Sequence, residues 1–236
     1  MSSGSWLAID TATDLASVAV AAGGKTVARS IRGARQHAAK ILGLVHEVLT
    51  LASISLDDIN GIVVGDGPGS FTGLRIGWAA AKGLAHERQL PLVAIPSLLG
   101  AAHAAGVNVA AACYDALRGE VFGAVYEFDN DQVKAIVAPA LFTVPMLVAR
   151  AQRSPDVAVG DGAELDPEAV KRWTGRAPVG LAALPPIAAS LLALTAYDGA
   201  RSPIDRTLAE PVYGRLAEAQ VKWESRHGRP LPHSPR

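Results

Sequence analysis

Residues 65 to 77 read GDGPGSFTGLRIG, five glycines and one proline in thirteen positions, directly after the apolar run Ile62-Val63-Val64. A β-branched run that ends in a glycine cluster and continues into a helical stretch is a strand–turn–helix unit. It directs the chain to α/β folds in which a helix leaves the end of a strand. Such loops often cradle phosphate, yet neither phosphate fingerprint is complete. No lysine follows a glycine as GxxxxGK[ST] requires, and Gly67-Pro68-Gly69 runs into Ser-Phe-Thr instead of finishing GxGxxG. The Ser70 and Thr72 hydroxyls are placed to cap the helix, and its positive end still attracts an anion.

The glycines inside the helix need a separate reason. Gly73 and Gly77 lie four apart, and Ala80 and Ala81 continue their face. Each interior glycine costs about 1 kcal/mol relative to alanine, so something must offset roughly 2 kcal/mol. A smooth face lets another backbone come close. Two readings stand: close packing on the protein's own sheet, or a helix-to-helix interface with a second chain. Leu74, Trp78 and Ala85 share a neighbouring face, where a tryptophan would anchor an interface.

The rest of the chain surrounds this unit with alternating elements. WLAID (6–10), LASVAVAA (15–22) and KTVARSI (25–31) read as a strand meander, and apolar spacing predicts a helix over 37–52. A capping-box-like Ser55-Leu56-Asp57-Asp58 precedes the strand GIVVG. After the glycine helix come a strand at LPLVAI and a helix capped by Ser97. VNVAAACYDA, EVFGAVYEF, QVKAIVA and VAVGD read as strands, with helices over 165–173 and 185–197. The expectation is an α/β protein of two lobes with mixed sheets: residues 1–103, a smaller lobe over 104–220 whose last helix packs back on the first, and a basic, proline-rich tail over 221–236.

Composition narrows the function. Twenty-two basic residues balance 22 acidic ones, whereas a chain that grips nucleic acid unaided carries a basic excess. The lone Cys113 excludes an intramolecular disulfide and a cysteine-built zinc site. MSSGSWLAID has no basic start, and the most apolar later stretch, 136–149, is broken by Pro139 and Pro145. A soluble cytoplasmic protein with no membrane contact is expected.

Several segments occur in a telling order: IDTATDLASVAV (9–20), RQH (35–37), GDGPGSFTGLRIG with AKGLA (81–85), LPLVAIPSL, YDALRGEVF (114–122), VGDGA (159–163) and PVYGRLAEA (211–219). Together they resemble the TsaB (YeaZ) family, a subunit of the bacterial machinery that makes threonylcarbamoyladenosine in tRNA. The resemblance implies the two-lobed fold of actin, the heat-shock ATPases and sugar kinases (ASKHA), with a reduced second lobe. It implies a non-catalytic relative of the catalytic subunit TsaD, which it meets through helices of the first lobe. A TsaE-like ATPase, tRNA reached through the complex, and a homodimer are the further partners implied. On this reading the partner interface comprises Gly69, Phe71, Gly73, Leu74, Gly77, Trp78 and Ala81, with His37 and Ile41 from the preceding helix.

No catalytic residue, cofactor or metal is assigned. In the catalytic relatives the segment matching IPSLLGA is implied to carry a metal-binding histidine pair four apart; here those positions are Ser97 and Ala101, and neither offers an imidazole nitrogen. His103 is on another side of that helix, and His37 and His46 are nine apart, wrong for joint ligation. In kinases of this fold an acidic residue ending the first strand holds magnesium and phosphate. Asp10 with Thr11 keeps that carboxylate as a vestigial nucleotide-like site, but AspThrAlaThrAsp lacks the glycine that lets phosphate approach, so weak nucleotide binding is the most it offers. Basic clusters at Lys25–Lys40 and beyond Arg215 would lend auxiliary phosphate contacts to a tRNA complex. The competing readings are an independent ASKHA-fold phosphotransferase or metal-dependent transferase, and a stand-alone anion-binding module.

Overall fold

A computed structural model of the chain describes residues 4–201, 209–215, 223 and 226–228, with the side chains of 34–39 left aside. Most of the tail over 221–236 therefore lies outside the described residues. The meander is β1 (Ser5–Asp10), β2 (Leu15–Ala22) and β3 (Lys25–Arg32), paired antiparallel. After helix α1 (Ala34–Leu51), strand β4 (Ile59–Gly65) joins β1 in parallel. Helix α2 (Phe71–Glu87) then crosses back to β5 (Leu92–Ile95), parallel to β4, and gives the sheet order 3-2-1-4-5.

Strand alternation sends this sheet's side chains to two different layers. Leu7, Ile9, Val18, Val20, Ile62 and Val64 pack on Ile41, Val45 and Val48 of α1 and on Trp78 and Ala81 of α2. Ala8, Ala19 and Val63 point the other way, against α3 (Ser97–Ala104) and α6 (Ile187–Leu194). α6 lies on β1 and β2 of the first sheet, so a segment from late in the chain completes the early lobe.

The second sheet has order 8-7-6-9: β6 (Val109–Asp115), β7 (Val121–Asp129) and β8 (Gln132–Phe142) antiparallel, β9 (Val157–Val159) parallel to β6. One face joins the α3/α6 layer through Ala110, Ala112, Phe122 and Tyr126. The other packs on α4 (Val144–Arg150) and α5 (Pro167–Thr174) through Leu147, Val170 and Trp173. The layers run helices, sheet, helices, sheet, helices: two mixed sheets with a helical layer between them and one on each outer side.

The stretch 136–149, broken by Pro139 and Pro145, holds the end of β8 and most of α4. Pro145 sits in the first turn of α4, where a missing N–H costs nothing, and Pro139 sits on β8, an edge strand. Ser97 was expected to cap its helix; its side chain turns inward instead and makes no cap bond. Cys113 is buried and its thiol is pushed up to about 12 by burial, beside the Asp161 charge, as a small core residue would be. No helix among the described residues is long and apolar enough to cross a membrane.

Candidate functional site: an inter-lobe cleft and an outer helical face

The glycine segment is shaped by what it rests on. Thr11, in the turn after β1, donates its hydroxyl to the Gly73 carbonyl at 2.7 Å. A Cβ on Gly73 would lie 2.1 Å from the Thr11 carbonyl oxygen, and one on Gly77 would lie 2.2 Å from Thr11 Oγ1. Gly69 meets the Ala12 carbonyl in the same way, at 2.2 Å. The bare stripe therefore seats α2 on the protein's own β1–β2 turn. Ser70 caps that helix, accepting from the Gly73 N–H at 3.2 Å.

This overturns most of the expected partner interface. Gly73, Leu74, Gly77, Trp78 and Ala81 are buried against the sheet, and Ile41 of α1 is only 2 % exposed. Of the residues assigned to it, Phe71 is open at 42 % and Gly69 half-buried; the His37 side chain lies outside the described residues. The periodicity located a face correctly but carried no sign for which side was inward. The side that does face outward carries Arg75, Ala79 and Gly83 on α2 and Leu42 and Gly43 on α1. Leu42 is 57 % exposed, and nothing lies within 4 Å of a Cβ built on Gly43 or Gly83.

Ser97 is the hub of the buried polar centre. Its hydroxyl donates to Asp10 Oδ1 at 2.6 Å and accepts from the Gly67 N–H at 3.2 Å, while its carbonyl accepts from the Tyr114 hydroxyl at 2.8 Å. The strand end, the glycine loop, α3 and β6 thus meet on one residue. Burial pushes Asp10 up to about 6 against the opposing Ser97 hydroxyl and Ala12 amide. Burial, with the Asp10 and Asp161 charges, also holds the Tyr114 hydroxyl protonated. Ala101, the other position at which the catalytic relatives are implied to carry a histidine, is fully buried in the core.

Between the lobes lies a cavity of about 620 Å³. Its floor is Ala12–Asp14 and Gly69–Thr72 from the first lobe; its roof is Tyr114–Arg118, Phe122 and Asp161 from the second, with Tyr213 and Arg215 closing one side. Asp10 and Thr11 do not line it: both are buried beneath it, one bonded to Ser97 and the other to Gly73. The two residues expected to form a vestigial nucleotide-like site are therefore not open to the cavity; from that turn only Ala12, Thr13 and Asp14 line it. Asp161, Tyr213 and Arg215 have no role legible in the sequence, although VGDGA and PVYGR stand among the segments that carry the resemblance. Asp161, just after β9, is the second-lobe counterpart of a strand-end acid; its Oδ1 accepts from the Asp115 and Gly162 amides at 3.1 and 3.0 Å.

The sequence profile of the family described as TsaD, tRNA N6-adenosine threonylcarbamoyltransferase, matches residues 30–169. The chain is 28 % identical to tRNA threonylcarbamoyladenosine biosynthesis protein TsaB of Bacillus subtilis over 92 % of its own length and 96 % of that protein's. It superposes on YeaZ from Pseudomonas aeruginosa with a TM-score of 0.72 at 28 % identity, covering 89 % of this chain and 99 % of that one. This chain belongs to the TsaB/YeaZ family. The TsaB of Escherichia coli is 39 % identical over 57 % of this chain, and the match spans 63 % of that relative's length. The TsaB of Haemophilus influenzae is 37 % identical over 49 % of this chain and 51 % of its own. The TsaD-profile match runs from the end of β3 past β9 and takes in the glycine segment, Ser97 and the cavity roof of this TsaB/YeaZ family chain.

Proposed function

We propose that this chain is a non-catalytic scaffold subunit, acting in the cytoplasm, that supports a TsaD-like catalytic subunit and a TsaE-like ATPase in threonylcarbamoyl transfer to an adenosine of tRNA. The observation that carries the reading is the fate of the position implied to hold metal in the catalytic relatives. Ser97 spends its hydroxyl on Asp10 and Gly67, and Ala101 contributes a buried methyl group. What would be reactive side chains elsewhere hold the fold together here. The test is reconstitution: TsaD-like and TsaE-like proteins, tRNA, threonine, bicarbonate and ATP should give threonylcarbamoyladenosine only when this chain is added. Equal product without it removes the support role.

The outer face of α1 and α2 is the docking surface this reading requires. Small residues at Gly43, Ala79 and Gly83 allow a close helix-to-helix approach, and Leu42 supplies an apolar anchor. The same face would serve a second copy of the chain as a homodimer. Gly83→Glu and Leu42→Asp are expected to abolish co-purification with the TsaD-like subunit, leaving the melting temperature within about 2 °C because no core contact is touched. A complex that survives both changes sinks the assignment. In such a complex the strand-edge cluster Lys25, Arg29 and Arg32 of β3 would add phosphate contacts to tRNA. The cavity favours a second reading, an independent transferase; ATP turnover by the chain alone would replace the first.

A further inference from the structure

The segment 209–215 is an extended strap with anchors on both lobes. On the first lobe, the Lys82 ammonium donates to the Ala209 carbonyl, and the Val212 N–H donates to the Asp66 carbonyl at 2.8 Å. The Val212 carbonyl lies against Gly67, 2.4 Å from where a Cβ would stand, so no other residue fits beneath the strap; the Gly67 φ of +97° points the same way. The Tyr213 ring rests on Phe71, centroids 4.6 Å apart. Gly214, at a φ of +68°, then turns the chain between Pro68 of one lobe and Phe122 of the other.

On the second lobe the anchor is a single side chain. The Arg215 guanidinium donates to the Ala116 carbonyl at 2.8 Å and pairs with Glu120, thereby gripping both ends of the β6–β7 hairpin turn. That turn is itself held open in an uncommon form: Leu117, Arg118 and Gly119 all have positive φ, at 66°, 58° and 78°. The two anchors differ in kind. The first-lobe one is backbone and ring packing; the second-lobe one is a partly exposed ion pair, the weaker sort.

We propose that residues 209–215 form a latch whose releasable end is Arg215, and that its engagement sets the width of the inter-lobe cavity. Tyr213 and Arg215 both line that cavity, so release of Glu120 and the Ala116 carbonyl removes one wall and detaches the hairpin turn from the strap. An incoming anion that outcompetes Glu120 for the guanidinium would open it.

Hydrogen exchange and spin labels on the full chain test this. In Arg215→Ala, the amides of Ala116, Glu120 and Val212 should exchange about tenfold faster, while those of β1 and β4 hold their wild-type rates, because a charged hydrogen bond and ion pair at one end are lost. Labels at Thr72→Cys and Leu117→Cys, across the cavity, should report a longer and broader distance distribution; the native Cys113 is fully buried and does not compete for label. The milder Glu120→Gln should give a smaller change of the same sign, and the swapped pair Arg215→Glu with Glu120→Arg should restore the narrow distribution. An unchanged distribution in Arg215→Ala overturns the proposal. So does faster exchange spread evenly over the whole protein, which marks loss of general stability.

Discussion

Gly73→Ala should destabilise the protein by about 3 kcal/mol or more, despite the helix propensity it gains. Alanine recovers roughly 1 kcal/mol of intrinsic preference in a helix interior. Its methyl carbon, however, would stand 2.1 Å from the Thr11 carbonyl oxygen, and that backbone is pinned in the β1–β2 turn, where the Ala12 carbonyl also accepts from the Ser70 amide at 2.7 Å. Overpacking against fixed atoms costs typically about 1–3 kcal/mol and more where nothing yields. Gly77→Ala makes the contrast, because its clash is with a side-chain atom, Thr11 Oγ1 at 2.2 Å, while the Thr11 carbons stand at 3.4 Å. Thr11→Ala should therefore rescue Gly77→Ala almost fully and leave Gly73→Ala as damaged as before. The measurement is a double-mutant cycle by urea denaturation. Gly73→Ala with wild-type stability would mean that α2 does not seat on the turn as described.

Stability should fall as pH rises from about 4 to 6, against the common trend for buried carboxylates in ion pairs. Asp10 and Asp66 are both pushed up to about 6 by burial, from an ordinary 3.8. The Ser97 hydroxyl and Ala12 amide oppose this at Asp10, and the Val212 amide at Asp66. Between those values the native chain holds protons that the unfolded chain has released, so unfolding becomes easier with each step upward in pH. Below about 4 both states of these two groups are protonated, and above about 6 both are ionised, so their contribution vanishes on either side; Asp161, likewise raised by burial, adds to the fall, and His103, lowered by burial, opposes it. A rise of this size weakens folding by about 3 kcal/mol per group across the window, an upper figure. Asp10→Asn keeps an acceptor for Ser97 and cannot ionise; it should make the slope clearly shallower. Denaturant midpoints at pH 4, 5, 6 and 7 give the answer, and an identical slope in the variant would show that Asp10 ionises normally.

The elements themselves were largely readable along the chain. The short apolar, β-branched runs of LASVAVAA and GIVVG, and the spacing in the 37–52 and 72–87 stretches, depend on neighbours a few residues apart, and these set local structure whatever the rest does. Ser55 and Asp58 form their turn as a local pair, the Asp58 carboxylate accepting from the Ser55 amide and hydroxyl at 2.7 and 2.8 Å. Helix α4 was not read from the sequence: a proline that breaks a helix in its middle is harmless in its first turn, and only the true start of α4 places Pro145 there. Neither Tyr213 nor Arg215 carries any signal beyond its place in a distinctive string, since their partners Phe71 and Glu120 are about a hundred residues away or more.

The order of strands and helices, the demand for a close approach along Gly73 and Gly77, and the family were determined by the sequence alone. All three arise from residue type and short spacing. Which surface made that approach was decided only in three dimensions. A stripe of glycine and alanine presents the same bare backbone to an internal turn or to a foreign helix, and the choice falls to whichever element reaches it first. Here the β1–β2 turn does so, because Thr11 follows a strand whose parallel neighbour β4 feeds α2 directly. The small residues on the opposite side of α2, Ala79 and Gly83, are left facing outward.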